Sequence, residues 1–203
     1  MTQQKRLSLV LALNLVMITG LVLVGLSSHS LGVLAAGGDF AADSAAIILG
    51  ILAIQISKHP HGHPKATTYV AFINALALLT VTTVVIYEGI HRLTSHVPKV
   101  EGLPVLIISV IATIFMVVSV FILGKDAGKE DLHMRSVFLD TVSDAVASTA
   151  VAVSGAIIYF AKGLYWLDSA LAILIGLVIG YQAVKLLRDV LIALRTRTVL
   201  IVN

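Results

Sequence analysis

The stretch LPVLIISVIATIFMVVSVFIL, Leu103 to Leu123, carries no ionisable side chain and has Ile, Val, Leu, Met or Phe at nearly every position. A helix that is apolar on all sides belongs either in the core of a large protein or in a bilayer. About 20 such residues, rising ~1.5 Å each, cross the ~30 Å hydrocarbon layer of a membrane. Reading outward from this run, comparable runs cover Leu7–Leu26, Leu31–Ser57, Thr67–His91, Ser136–Phe160 and Trp166–Ala193. The breaks between them, at Ser27–Ser30, Lys58–Ala66, Arg92–Gly102, Gly124–Arg135 and Ala161–Tyr165, are short and polar or contain Gly or Pro. A chain of 203 residues has no soluble core large enough to hide six such segments. The expected fold is therefore all-α, a bundle of six transmembrane helices forming one domain over 1–203.

Composition agrees. The chain is 58% hydrophobic and 12% charged, with a mean hydropathy of +1.01, far from a soluble domain. It contains no cysteine, so disulfides, thiolate ligands and thiol catalysis are excluded, and any metal must be held by oxygen or imidazole. The formal charge of +3 comes from basic residues at the ends of apolar runs, not from a basic stripe interleaved with aromatics, so nucleic acid is not an expected partner. Lys5, Arg6 and the run after them have the charged start of a secretory signal, but the apolar stretch is too long for a signal core and no cleavage context follows.

Lys and Arg are retained on the cytoplasmic side of a membrane. Lys5, Arg6, Lys58, Lys65, Lys125, Lys129, Arg135, Lys185, Arg188, Arg195 and Arg197 fall on one face, and Arg92, Lys99 and Lys162 on the other, a division of 11 against 3 among 14 basic residues. Both termini are thus expected in the cytoplasm.

Against this apolar background, Asp39 and Asp43 in the second helix and Asp140 and Asp144 in the fifth require a reason. Insertion of one carboxylate near the bilayer centre costs at least ~2.5 kcal/mol. A spacing of four places both members of a pair on one helix face. Because the two helices run in opposite directions, Asp39 is expected near the level of Asp144, and Asp43 near that of Asp140. Four converging carboxylates repel one another unless they take up protons, and a divalent cation displaces those protons. Such competition is a physical basis for metal/proton exchange. Small residues around the pairs, Ala35 to Gly38 and Ala41, Ala42 and Ser44 to Ala46 in one helix, Ala145, Ala147, Ser148 and Ala150 in the other, permit close approach.

These residues carry a resemblance. SHSLGVLAAGGDFAADSAAI, Ser28 to Ile47, and RSVFLDTVSDAVAS, Arg135 to Ser148, resemble the helix-two and helix-five signatures of the cation diffusion facilitator family, and the likeness extends over nearly the whole chain. It implies a divalent transition-metal efflux transporter of the bacterial inner membrane. Such a protein is a metal/proton antiporter working by alternating access, not an enzyme, with zinc, manganese, iron, cobalt or cadmium as cargo and no resident cofactor. Asp39, Asp43, Asp140 and Asp144 take the ligand positions. Many zinc transporters of the family have His at the first position of one or both pairs. This chain has Asp at both, and four oxygen ligands favour harder ions such as manganese or ferrous iron, so zinc and manganese or iron both stand as expected cargo.

HPHGHPKA, His59 to Ala66, is similar to the family's cytoplasmic loop and offers His59, His61 and His63 as a possible secondary capture site, although Ile56 stands where the family carries an Asp. WLDSALAILIGLVIGYQAVKLLRD, Trp166 to Asp189, resembles helix six, where Asp168 is expected to cap the start of its own helix. The resemblance further implies a homodimer and a charge pair between Lys65 and Asp189. Family members usually continue into a soluble ferredoxin-like domain, so a chain ending at Asn203 is expected to lack it. Asn14 and Asn74 are expected to hydrogen-bond between helices.

Two other classes compete. Paired intramembrane aspartates can share a proton and activate water in an aspartyl protease, and Ala36-Gly37-Gly38-Asp39 approaches the Gly-x-Gly-Asp motif of such enzymes, with Ala36 at the first Gly position. Alternatively the carboxylates serve only the structure of a non-transporting membrane partner.

Overall fold

The computed structural model describes residues 3–57, 66–124 and 132–196. They form α1 (Gln3–Ser27), α2 (Leu31–Ser57), α3 (Ala66–Thr94), α4 (Gly102–Gly124), α5 (Leu132–Ala161) and α6 (Trp166–Thr196). All six expected helices are present. Within the described residues, α1, α3, α4, α5 and α6 each contain a stretch of 20 to 27 residues apolar enough to cross a membrane.

Two of the three main helix pairs join sequence neighbours, and the third joins α3 to α6. α4 lies along α5, α3 along α6 and α1 along α2, while α2 also meets α3, α6 and, over a smaller area, α5. One apolar cluster joins all six through Met17 and Leu21 of α1, Val33 and Phe40 of α2, Val85 of α3, Val105 and Met116 of α4, Val151 of α5, and Ile175 and Ile179 of α6. The opposite faces are equally apolar. Phe121 and Phe160 are 73% and 77% exposed, which in water would be an aggregation surface and in a bilayer is the lipid contact.

Where helices approach most closely, glycine is required. A Cβ on Gly102 would lie 2.6 Å from the Tyr159 amide nitrogen and 2.9 Å from the Gly155 carbonyl oxygen, and one on Gly155 would lie 2.8 Å from the Leu106 amide nitrogen. The obstacles are backbone atoms, which cannot rotate aside. Gly155→Leu should therefore force α4 and α5 apart and destabilise the protein by ~1–3 kcal/mol or more. Thermal unfolding in detergent checks this: a melting temperature unchanged from that of the parent protein would contradict the close approach.

The extended ends also have reasons. α3 continues past His91 to Thr94, where the Thr94 hydroxyl donates to the carbonyls of Ile90 and His91. α5 starts at Leu132, ahead of the expected Ser136, because a helix does not stop where the hydrocarbon stops: Leu132, Met134 and Arg135 are good helix formers. The α1–α2 connection is tight, with His29 in the left-handed region at φ 57°.

Candidate metal site

The outer end of the bundle, marked by Arg92, Lys99 and Lys162, holds the start of α2 in place. Ser30 is its N-cap, its hydroxyl accepting the Val33 amide at 3.1 Å. The same hydroxyl donates to Oδ1 of Asp168. The Leu31 amide donates to Oδ2 of Asp168 at 2.7 Å, and the Gly32 amide approaches both carboxylate oxygens at 3.3 and 3.4 Å. The turn before the cap is tied down as well. Arg92 donates from Nη1 to the His29 carbonyl at 2.8 Å and from Nε to Glu88 at 2.9 Å, while the Glu101 amide donates to the Ser28 carbonyl at 3.2 Å. Asp168 thus caps a helix start, but that of α2 and not that of α6 as expected. It sits in the first turn of α6, where its side chain points across the bundle toward the four unpaired amides that any helix leaves at its N-terminus.

Two turns deeper, α2 carries Asp39 and Asp43, both half-buried. From α5 comes Asp144, 6% exposed. Its carboxyl interacts with the carboxyls of Asp43 and Asp39, and its Oδ2 is buried without a hydrogen-bond partner. Asp144 therefore addresses both members of the α2 pair. Carboxyl groups side by side in a low-dielectric interior must hold a proton or a cation between them. Nearby on the same helices, the Ser44 and Ser148 hydroxyls are buried and also lack partners.

Among the described residues, no three His, Asp or Glu side chains already stand close enough together to hold an ion. Asp140 belongs to α5, four residues before Asp144, but its side chain lies outside the described residues. So do His59, His61, His63 and Lys65; Asp189, the expected partner of Lys65, is exposed near the inner end of α6. Asn14 is buried in α1 at 2% exposure, whereas Asn74 of α3 is only half-buried.

The family model of the cation efflux transmembrane domain aligns with residues 7–194. The chain belongs to the cation efflux family. Among its relatives, zinc transporter ZitB of Yersinia pestis is 29% identical over 194 residues, covering 93% of this chain and 62% of the relative. ZitB of Escherichia coli (strain K12) is 31% identical over 174 residues, covering 83% of this chain and 55% of the relative. A cadmium, cobalt and zinc/H(+)-K(+) antiporter of Bacillus velezensis is 29% identical over 191 residues, covering 87% and 60%. The chain thus spans 55% to 62% of the length of these three relatives. Cation efflux proteins are transporters, which sets the aspartyl-protease reading aside, and the membership makes this chain a multi-pass membrane protein.

Sequence reasoning missed Ser30 and Arg92. A Ser before an apolar run is a helix-start signal, so Ser30 was open to detection from the sequence. The long reach of Arg92 to the His29 carbonyl, and of Asp168 to α2, has no local signature.

Proposed function

We propose that the protein exports divalent transition-metal ions across the inner membrane of a bacterium in exchange for protons, through a site formed by Asp39 and Asp43 of α2 with Asp140 and Asp144 of α5. The observation that carries this reading is Asp144: a buried carboxyl on one helix that addresses both aspartates of another and leaves Oδ2 without a donor. Structural aspartates in membranes are expected to complete their hydrogen bonds. An orphaned carboxylate oxygen suits an electropositive visitor.

The chemistry follows from competition for lone pairs. In the metal-free protein, protons relieve the repulsion among the carboxyls. A divalent ion entering from the cytoplasm displaces them, and α2 and α5, which share little surface among the described residues, draw together to complete its coordination. Rocking of the bundle then exposes the site outward, where protons reload the carboxyls and release the metal. The names of the relatives, which include zinc, cadmium and cobalt, support zinc as cargo. The all-oxygen ligand set keeps manganese and ferrous iron in the range of substrates.

Calorimetry on the purified protein tests the exchange at equilibrium. Zinc binding should release protons, so its apparent enthalpy should vary with the ionisation enthalpy of the buffer. Binding with no buffer dependence between pH 6 and about 7.5 would refute the coupling.

A further inference from the structure

Among the described residues, the two helices that carry the aspartates share little contact. α2 packs far more extensively on α1, α6 and α3 than on α5, so the register between the α2 pair and Asp144 is not set by packing between those two helices. The height of α2 is set by its packing on those neighbours and by how its ends are held. The observed restraint is at its first turn, where a carboxylate from α6 takes three donors of α2: the Ser30 hydroxyl and the Leu31 and Gly32 amides. That carboxylate is 1% exposed and accepts at the positive end of the helix dipole. Space is as tight as the bonding, since a Cβ on Gly32 would stand 3.0 Å from Asp168 Oδ1.

From this cap the helix runs unbroken to the aspartates, and Val33, Ala35, Ala36 and Phe40 along it are buried. Asp39 lies eight residues after Leu31, ~12 Å along a rod that transmits displacement because its backbone hydrogen bonds do not stretch. A slip of one residue at the cap would shift Asp39 and Asp43 by ~1.5 Å and rotate them by ~100°. Either movement takes them away from Asp144.

We infer that Asp168 is a positioning residue for the metal site: from α6 it holds the first turn of α2 and fixes the height at which Asp39 and Asp43 face Asp144. This rests on the reading of those aspartates as metal ligands. Asp168 itself touches no metal. It acts on the aspartates through two turns of helix and not by direct contact, so its loss is expected to weaken metal binding toward the lower end of the ~10- to 100-fold typical of groups that hydrogen-bond a ligand directly. An amide at this position is the same size but offers one acceptor oxygen in place of two and turns an NH2 toward the α2 donors.

The test is zinc and cadmium affinity of the purified full chain by calorimetry, with helix content and thermal unfolding measured alongside. For Asp168→Asn the expected result is a zinc affinity reduced roughly tenfold, with a changed ratio of zinc to cadmium affinity and preserved helix content. A purely structural role would lower the unfolding temperature and leave both affinity and ratio unchanged. A loss of zinc affinity below threefold, or an unchanged metal ratio, overturns the inference. Should Asp168→Asn fail to fold, Ser30→Ala, which removes one donor and leaves the carboxylate, decides by the same two criteria. Failure of the parent protein to bind zinc or cadmium at all would instead overturn the assignment of the aspartates as ligands.

Discussion

Asp144→Ala is expected to abolish metal transport, to the level of empty vesicles, while leaving the fold intact. Asp144 addresses both α2 aspartates, so its removal breaks a link between α2 and α5 that is built from ionisable groups. Truncation to Ala gives up the interactions of the Asp144 carboxyl with Asp43 and Asp39, but it also removes an Oδ2 without a partner and recovers the desolvation cost of a buried carboxyl, which offsets that loss. The direction of the two effects is therefore opposite, function lost and stability held or raised. Zinc uptake by reconstituted vesicles, with unfolding temperature measured on the same preparation, distinguishes them. Transport within a few-fold of the parent protein would show that Asp144 is not a ligand. A protein that unfolds on this substitution would favour the reading in which the carboxylates serve structure.

Asp140→His should shift metal preference toward zinc. A site of carboxylate oxygens favours harder ions, and one imidazole in their place raises affinity for zinc over manganese. A change of roughly tenfold in the ratio of zinc to manganese transport is expected, since a single neutral nitrogen replaces a charged oxygen in the first coordination shell. The measurement is competition between the two metals in vesicle uptake. An unchanged ratio, with transport retained, would remove Asp140 from the site.

The fold was legible because the bilayer leaves few alternatives. Apolar runs such as Leu103–Leu123 must be helical when no water is present to satisfy the backbone, and α4 follows that run closely at Gly102–Gly124. Helix ends were read less well wherever they leave the hydrocarbon, as at Leu132, because hydropathy marks the membrane boundary and not the last hydrogen bond. Of the site, the two Asp-x-x-x-Asp pairs stood out by their cost against an apolar background. Their relative levels followed from the opposite directions of the two helices. The capping of α2 by Asp168, 138 residues from Ser30, did not stand out. Such a contact leaves no periodicity to read, so an acid in the first turn of α6 was assigned to the nearest helix start when it serves a distant one.

The central claim is that these carboxyls exchange metal for protons across the membrane. Zinc uptake into proteoliposomes under an imposed pH gradient tests it most directly, with the interior made acidic and zinc supplied outside to transporters whose cytoplasmic face is outward. The account predicts rapid uptake that collapses when a protonophore dissipates the gradient and that reverses in direction when the gradient is inverted. Zinc flux of equal rate with and without the gradient, or no zinc, cadmium or manganese flux in either direction from a folded protein, would contradict it.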